Sequence, residues 1–150
     1  MSYNESIKEQ EQSKKIQEMF NNIADKYDFL NGLLSFALDN NWRRNAIRLA
    51  NIKPGNKVLD LACGTGDMIT EIQKQHPDAV IYGADFSVNM LHISQKKLEN
   101  IPFTAADAHN LPFKDNSFDR LTIAFGFRNV TDKARGLSEL YRVIKSGGIV

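Results

Sequence analysis

The strongest indication of a ligand-binding site lies at residues 58–67, which read VLDLACGTGD. A short apolar run ends there in a Gly-x-Gly turn, and a helical pattern begins at Asp67. Glycines at positions 64 and 66 permit backbone torsions that other residues resist, and they let a ligand approach the main chain closely. The free N–H groups at the start of the helix would face the same place. Because such a turn can also be a plain strand–helix connection, the surrounding spacing must decide between the two interpretations.

Two further carboxylates fall where a ligand at this turn would need them. Asp85 stands 19 residues after Gly66 at the end of a second apolar run, and Asp107 follows a third. An acid at the end of the second strand of such a sheet accepts hydrogen bonds from the hydroxyls of a ribose. The carboxylate of Asp107 can accept from an exocyclic amine such as that of adenine. Since ligands of open α/β sheets bind at the carboxyl ends of the strands, these residues predict an adenine-nucleoside site.

Two residues near the turn indicate which nucleoside would bind. A dinucleotide fingerprint requires a third glycine, and Ile69 stands in that position. Asp60, inside the first strand, would repel a pyrophosphate but attract an amino group or a sulfonium. A cationic nucleoside without phosphate therefore fits better than NAD, and S-adenosylmethionine is such a molecule. An NAD-dependent dehydrogenase remains a less favoured alternative.

Alternating strands and helices must position these residues. Short apolar runs separated by helical patterns favour an α/β fold, a doubly wound parallel sheet with helices on both faces. Ser87 is a suitable N-cap for the helix after the second strand. The predicted strands cover residues 58–62, 79–84, 101–105 and 117–125, and the predicted helices cover 42–50, 67–75, 87–100 and 132–144.

A helical segment precedes the sheet. Residues 4–26 contain apolar positions that share one helix face, namely Ile16, Met19, Phe20 and Ile23. We interpret residues 1–50 as a helical lid of the same domain, and residues 51–150 as the nucleoside-binding core. The chain stops at residues 147–150, a Gly-Gly turn followed by an apolar pair. The core is therefore expected to be cut at the start of its fifth strand, with its C-terminal part missing.

Composition excludes several classes of function. The 150 residues are 42% hydrophobic and 25% charged, which is typical of one globular domain. A net charge of +1 lacks the basic excess of a nucleic-acid-binding protein. No apolar run reaches the roughly 18 residues of a membrane span, and the polar N-terminus lacks the apolar stretch of a signal peptide, so a cytoplasmic location is expected.

The cysteine and histidine residues predict no metal site. The single cysteine, Cys63, excludes an internal disulfide, and it is interpreted as a buried filler rather than a nucleophile. The three histidines share no metal-ligand spacing and are expected at the surface. His109 lies in the loop after Asp107, so a minor role near the cofactor is open.

Several stretches resemble a known family. With the turn at 58–67, the runs ADAHNLPF, FDRLTIAFGFRNVTD and RVIKSGG are similar to class I S-adenosylmethionine-dependent methyltransferases. Two runs, YDFLNGLLSFALDNNW at 27–42 and FGFRNV at 125–130, resemble more narrowly the ubiquinone/menaquinone biosynthesis C-methyltransferases. The sequence departs from that family's pattern at Leu30, Asp39 and Ser146, where the family has Met, His and Pro.

The resemblance implies a Rossmann-like fold that binds S-adenosylmethionine at the strand ends. Asp85 would take the ribose hydroxyls, and Asp107 with the backbone of Ala108 would take the adenine. Ala124 matches a cofactor-lining position that is often serine in relatives. The residues expected to hold the cofactor are Asp60, Gly64, Thr65, Gly66, Asp85, Asp107, Ala108 and Ala124.

The resemblance also implies the acceptor, a polyprenylated hydroquinone such as demethylmenaquinol or a methoxybenzoquinol precursor of ubiquinol. Arg128 is expected to favour the phenolate by charge, while Asp39 or Tyr27 handles the proton. Asn129 and Asn31 are expected to contact the substrate. An isoprenoid tail implies contact with the membrane face. Two alternatives stay open, a methyltransferase for another small molecule and an inactive fragment.

Overall fold

The computed structural model describes residues 11–24 and 38–150. Residues 11–24 are helical and form α1. The following helices are α2 (Leu38–Ala50), α3 (Asp67–Gln75), α4 (Val88–Lys97) and α5 (Lys133–Val143), with a 3-10 turn at Phe127–Asn129. The strands are β1 (Lys57–Leu61), β2 (Val80–Asp85), β3 (Phe103–Ala105), β4 (Phe118–Thr122) and β5 (Ile144–Ile149).

The strands form one parallel sheet in the order β3-β2-β1-β4-β5. From β1 the chain moves outward through β2 to β3, and it then crosses back to place β4 on the other side of β1. The topological switch point therefore lies between β1 and β4, where open sheets of this kind form a ligand crevice. In register, Asp60 of β1 pairs with Gly83 of β2 and with Thr122 of β4. This arrangement confirms the predicted doubly wound α/β fold.

Successive side chains of β1 point to opposite faces of the sheet, so the core has one part on each face. Val58 packs on one face with residues of α2, α3 and α4, among them Ile47 and Ile72. Leu59 packs on the other face with residues of α5, including Leu140 and Val143. All of these side chains are at most 3% exposed, so the sheet is covered on both sides, as a parallel sheet requires.

Several element boundaries differ from the sequence-based prediction, and three of these differences change how the chain is placed. α2 begins at Leu38, four residues before Trp42. β4 ends at Thr122 rather than at 125, because the chain turns sharply there and Phe125 adopts a left-handed φ of 59°. β5 begins at Ile144, directly after α5, so the expected Gly-Gly turn lies inside the strand. A register shift between Phe118 and Arg120 of β4 accommodates the extra residues.

The N-terminal helix α1 lies against the carboxyl edge of the sheet. Ala24 is buried, whereas Met19, one of the four predicted apolar-face residues, is 49% exposed. Ile16 and Phe20 line a cleft at the sheet edge. None of the helices in the described ranges is long and apolar enough to cross a membrane.

Candidate active site

A cleft opens at the carboxyl ends of the strands, at the switch point. Its empty volume is about 890 Å³, which includes space open to solvent at the mouth. Each strand from β1 to β4 contributes lining residues through the loop that follows it. The predicted site residues that line the cleft are Gly64, Asp85, Asp107, Ala108, Ala124, Arg128 and Asn129.

The Gly-rich turn after β1 is built from left-handed residues. Gly64 has a φ of 55° and Gly66 a φ of 86°, a region that side chains disfavour. A Cβ on Gly66 would also stand 2.7 Å from Cδ1 of Leu98 in the segment after α4. Gly66 therefore allows both the turn and the close packing of α3 on its neighbour. Ala62 shares the left-handed conformation with a φ of 55°, which stores strain at the edge of the cleft.

Asp85 fixes the turn after β1 to the turn after β2. Its Oδ2 accepts a hydrogen bond from the Gly64 N–H at 2.7 Å, and its Oδ1 accepts from the Ser87 N–H at 2.8 Å. Burial raises the pKa of this carboxyl, while the backbone hydrogen bonds from Ser87 and Gly64 act in the opposite direction. Ser87 in turn caps α4, as predicted, by accepting from the Met90 N–H at 3.2 Å. Asp85 keeps lone pairs that can accept from ligand hydroxyls.

Asp60 lies beneath the turn and is 1% exposed. Its Oδ1 accepts from the Thr122 hydroxyl at 2.6 Å, but its Oδ2 has no hydrogen-bond partner among the residues that the structure describes. Burial raises the pKa of Asp60 to about 7, with a further contribution from the charge of Asp85, against the opposing effects of Thr122 and Arg43. A buried carboxylate with an unsatisfied oxygen is a costly arrangement, and it would bind a cationic group favourably.

The loop after β3 presents Asp107 to the cleft. Arg142 of α5 holds this loop by donating to the Leu111 carbonyl at 2.9 Å and to the Phe113 carbonyl at 2.7 Å. Glu139 accepts from the Leu111 N–H at 2.7 Å. The hydrogen bond with Arg142 lowers the pKa of Glu139, so this pair stays charged near neutral pH. The loop is thus attached firmly to α5.

The segment after β4 closes the other side of the cleft. Gly126 packs against Ala62 so closely that a Cβ on Gly126 would overlap the Cβ of Ala62. The Phe125 ring stacks on Trp42 of α2 with a centroid distance of 6.2 Å, and both rings are at least half exposed. Arg128 follows in the 3-10 turn. Within the described ranges its side chain shows no ion pair or hydrogen bond, so its charge is available to the cleft.

α1 forms one wall of the cleft and connects its two sides. Gln17 donates to the Phe86 carbonyl at 2.7 Å, directly after Asp85. Asn21 accepts from the Ser87 hydroxyl at 2.6 Å. At the opposite end, the Ser13 and Thr131 hydroxyls are 3.3 Å apart. These contacts attach the helix to the loops after β2 and β4.

The sequence-predicted site residues fall into three groups. The cleft-lining residues are brought together, as described above. Asp60, Thr65 and Gly66 lie next to the cleft without lining it, and the first two are buried. Tyr27 and Asn31 lie outside the described residues, as does the side chain of Asp39, so their roles stay predictions.

Some features of the site were not expected from sequence. The polar residues of α1 and the left-handed Ala62 carried no local signal. Gly126 did carry one, since it lies inside the FGFRNV run. Cys63 is buried, and burial raises the pKa of its thiol above the usual range, which agrees with the buried-filler interpretation.

The fold and the cleft define an open parallel α/β protein with a site of the kind found in methyltransferases. In a comparison with solved structures, the chain is similar to a SAM-dependent methyltransferase from Aquifex aeolicus, with 25% identity and a TM-score of 0.62. The match covers 69% of this chain and 58% of that one.

The sequence comparisons are more specific. The model of the ubiE/COQ5 methyltransferase family matches residues 7–150, so the chain belongs to that family. It is 47% identical over 145 residues to a ubiquinone/menaquinone biosynthesis C-methyltransferase UbiE from Geotalea uraniireducens, covering 92% of this chain and 62% of the relative. It is 49% identical over 134 residues to a demethylmenaquinone methyltransferase from Thermus thermophilus, covering 87% and 61% respectively. The chain thus spans about three fifths of the length of these relatives.

Proposed function

We propose that this chain is the cofactor-binding part of a C-methyltransferase that transfers a methyl group from S-adenosylmethionine to the ring of a polyprenylated hydroquinone. The observation that carries the proposal is the convergence of Asp85, Asp107 and Arg128 in the lining of one cleft, with the buried Asp60 of β1 next to it. The names of the two relatives support a quinone precursor as the acceptor. Demethylmenaquinol is the first candidate, and a methoxybenzoquinol precursor of ubiquinol is the second.

The residues present fit this cofactor. The unsatisfied Oδ2 of Asp60 is the acceptor that a buried ammonium or sulfonium requires, and it would repel the pyrophosphate of NAD. Asp85 accepts the ribose hydroxyls, and Asp107 with the Ala108 backbone binds adenine. Gly64 and Ala124 line the cleft around the methionine portion, and Thr65 and Gly66 hold the turn behind them. When bound, S-adenosylmethionine supplies an electrophilic methyl group on a positively charged sulfur.

Arg128 makes a carbon of the acceptor ring more nucleophilic. A phenol has a pKa near 10 in water, about that of tyrosine, and a guanidinium beside the hydroxyl lowers it. The resulting phenolate character increases electron density on the neighbouring ring carbon. Arg128 can have this effect because no described carboxylate neutralises it, and Asn129 lies beside it to orient the ring. Asp39 or Tyr27 accepts the hydroxyl proton. The hydrogen that the new methyl group replaces on the ring carbon then leaves as a proton to the ring oxygen or to water, and aromaticity returns. No metal is required because positioning in a water-poor cleft supplies most of the acceleration.

The acceptor's isoprenoid tail places the enzyme at the inner membrane face rather than inside the bilayer. The exposed pair Trp42 and Phe125 at the cleft mouth is the surface proposed to contact the tail. A methyltransferase for another small molecule would share the cofactor residues and differ in this region.

Calorimetric titration of the full chain with S-adenosylhomocysteine and with NADH tests the cofactor assignment. We expect micromolar binding of the first ligand only, reduced about 100-fold or more in Asp85→Ala through loss of two charge-assisted hydrogen bonds. Binding of NADH instead would overturn the assignment. A quinol assay then tests the acceptor, where Arg128→Ala should bind the cofactor normally and lose turnover. Parent-level turnover in that variant would remove the role of Arg128.

A further inference from the structure

His109 is held at both ring nitrogens. Its Nδ1 lies 2.6 Å from Oδ1 of Asp107, and its backbone N–H donates to the same oxygen at 2.9 Å. On the other side of the ring, the Asp132 N–H donates to Nε2 at 3.1 Å. The Thr131 hydroxyl lies 3.3 Å from Nε2. The imidazole thus connects the loop after β3 with the loop that precedes α5.

The Asp132 contact fixes the tautomer of the ring. A backbone amide can only donate, so Nε2 must carry the lone pair, and the proton of the neutral ring resides on Nδ1. The bond to Asp107 is therefore an N–H donor to a carboxylate. In this arrangement His109 is the donor and Asp107 the acceptor, so the hydrogen bond holds one carboxylate oxygen of Asp107 against the ring.

The two donors of His109 also decide which oxygen of Asp107 is free. Oδ1 receives both of them, whereas Oδ2 receives no hydrogen bond from the residues that the structure describes. Asp107 lines the cleft and its side chain is 43% exposed, whereas that of His109 is only 13% exposed. Arg135 further anchors the histidine by donating to its carbonyl at 2.8 Å. A carboxylate held through one oxygen presents the other in a fixed direction.

We propose that His109 is a positioning residue. It orients Asp107 so that the Oδ2 atom of Asp107 accepts a hydrogen bond from the exocyclic amine of the cofactor's base. This inference rests on the proposed function, and it adds a residue to which the resemblance gives no role. His109 also lines the cleft, but its two ring nitrogens already face Asp107 and Asp132, so the contact with the amine is left to Asp107. It determines how well the site distinguishes a 6-amino purine from a 6-oxo purine.

The effect is measured as the ratio of the Kd values of two ligands that differ only in the base. S-Adenosylhomocysteine carries the amine, and S-inosylhomocysteine carries a carbonyl oxygen at the same position. The parent chain is expected to prefer the first about 10- to 100-fold in Kd, as for a hydrogen bond to a charged group. His109→Ala should lower this preference by about 3- to 10-fold. His92→Ala, at an exposed position of α4, is the control and should leave the ratio unchanged.

Substitutions that keep one contact at a time sharpen the test. His109→Asn retains a donor near the Nδ1 position and should keep most of the preference. His109→Gln can still accept from the Asp132 N–H but offers no donor at the Nδ1 position, so it should behave as the alanine variant does. It serves in place of His109→Ala if that variant lacks a cooperative melt.

A double-mutant cycle with Asp107→Ala separates positioning from a general structural effect. In that background, His109→Ala should not change the ratio further, because there is no carboxylate to orient. A purely structural loss would weaken both ligands equally and leave the ratio intact in every variant, which would overturn the proposal. If the parent binds neither nucleoside, the proposed function fails, and this inference with it. If Asp107→Ala loses the preference while His109→Ala and His109→Gln keep it, only the role of His109 is wrong.

Discussion

At the floor of the cleft, meaning the ends of β1, β2 and β4, buried residues and backbone hydrogen bonds hold each group in place. Asp60 and Ala84 there are at most 1% exposed, and Asp85 accepts from two backbone amides. The cover of the cleft, α1, is attached in a different way. Its hydrogen bonds to the core use the side chains of Ser13 and Gln17 and the side chain and carbonyl of Asn21, and Ala24 is its one buried residue in the described range. The two regions face the same space with very different amounts of buried surface.

We predict from this difference that α1 detaches at a lower free energy than the floor unfolds. Side-chain hydrogen bonds at a part-exposed surface each contribute about 1 kcal/mol, whereas the floor is continuous with the core of the sheet. Regions with few buried contacts open at a lower free energy than the global transition. If α1 detaches in this way, a large acceptor has room to enter while the residues of the floor keep their geometry.

The largest expected effect concerns the charge buried in the floor. The pKa of Asp60 is raised to about 7, above its unfolded value, so the folded chain binds this proton more tightly between pH 4 and 7. The stability contribution of the protonated form is present in full below about pH 4 and is lost as the pH rises to 7. At pH 8 the loss should be roughly 3 to 5 kcal/mol. Thermal melts from pH 5 to 8 should show this decline.

Asp60→Asn is the variant that isolates this effect. Its amide oxygen can still accept from Thr122, and it carries no charge, so the free energy of unfolding should depend much less on pH. S-Adenosylhomocysteine, whose ammonium would pair with Asp60, should reduce the decline in the parent only. An equally steep pH dependence in both chains would contradict the assignment to Asp60.

A second prediction tests how tightly the floor is packed. Gly126→Ala should cost about 1 to 3 kcal/mol, because the new Cβ overlaps that of Ala62 and the core tolerates little added volume. Ala62→Gly removes that Cβ and also suits the left-handed φ at this position. The double variant should therefore recover the parent's denaturant midpoint. Additive destabilisation in the double variant would show that the two residues are not the clashing pair.

The smallest effect is expected at the cover. Asn21→Ala removes the acceptor of the Ser87 hydroxyl and should cost about 1 kcal/mol or less. Hydrogen exchange of residues 11–24 should accelerate about fivefold, while the melting temperature of the sheet changes little. Asn22→Ala, at the exposed neighbouring position of the same helix, is the matched control. A fall in the melting temperature equal to that of Gly126→Ala would remove the distinction between cover and floor.

Much of the floor could be predicted from sequence because it follows local rules. Short apolar runs predicted the strands, and the carboxyl ends of parallel strands necessarily meet, so Asp85 and Asp107 were expected to share a site. The N-cap role of Ser87 is confirmed by its bond to the Met90 N–H. These features depend on residues close in sequence or on a topology with few alternatives.

The remaining features depend on contacts that no local pattern encodes. Ala62 and Phe125 adopt left-handed torsions that their residue types disfavour, so no sequence-based rule predicts them. The Gly147–Gly148 pair is typical of a turn, but the register shift in β5 places it inside a strand. The hydrogen bonds of α1 join residues that are separated by 66 to 118 positions in the sequence. The way in which α1 is attached therefore could not be predicted from the sequence.

The hydrogen bonds from Arg142 to the loop after β3 have an entropic consequence. Ordering a free loop costs about 1 to 2 kcal/mol per residue, and a ligand that had to order it would lose that amount of affinity. Here the guanidinium orders the backbone at Leu111 and Phe113 when the chain folds. This entropic cost therefore falls on folding, and the side of the cleft that we propose for adenine is preorganised before any ligand arrives.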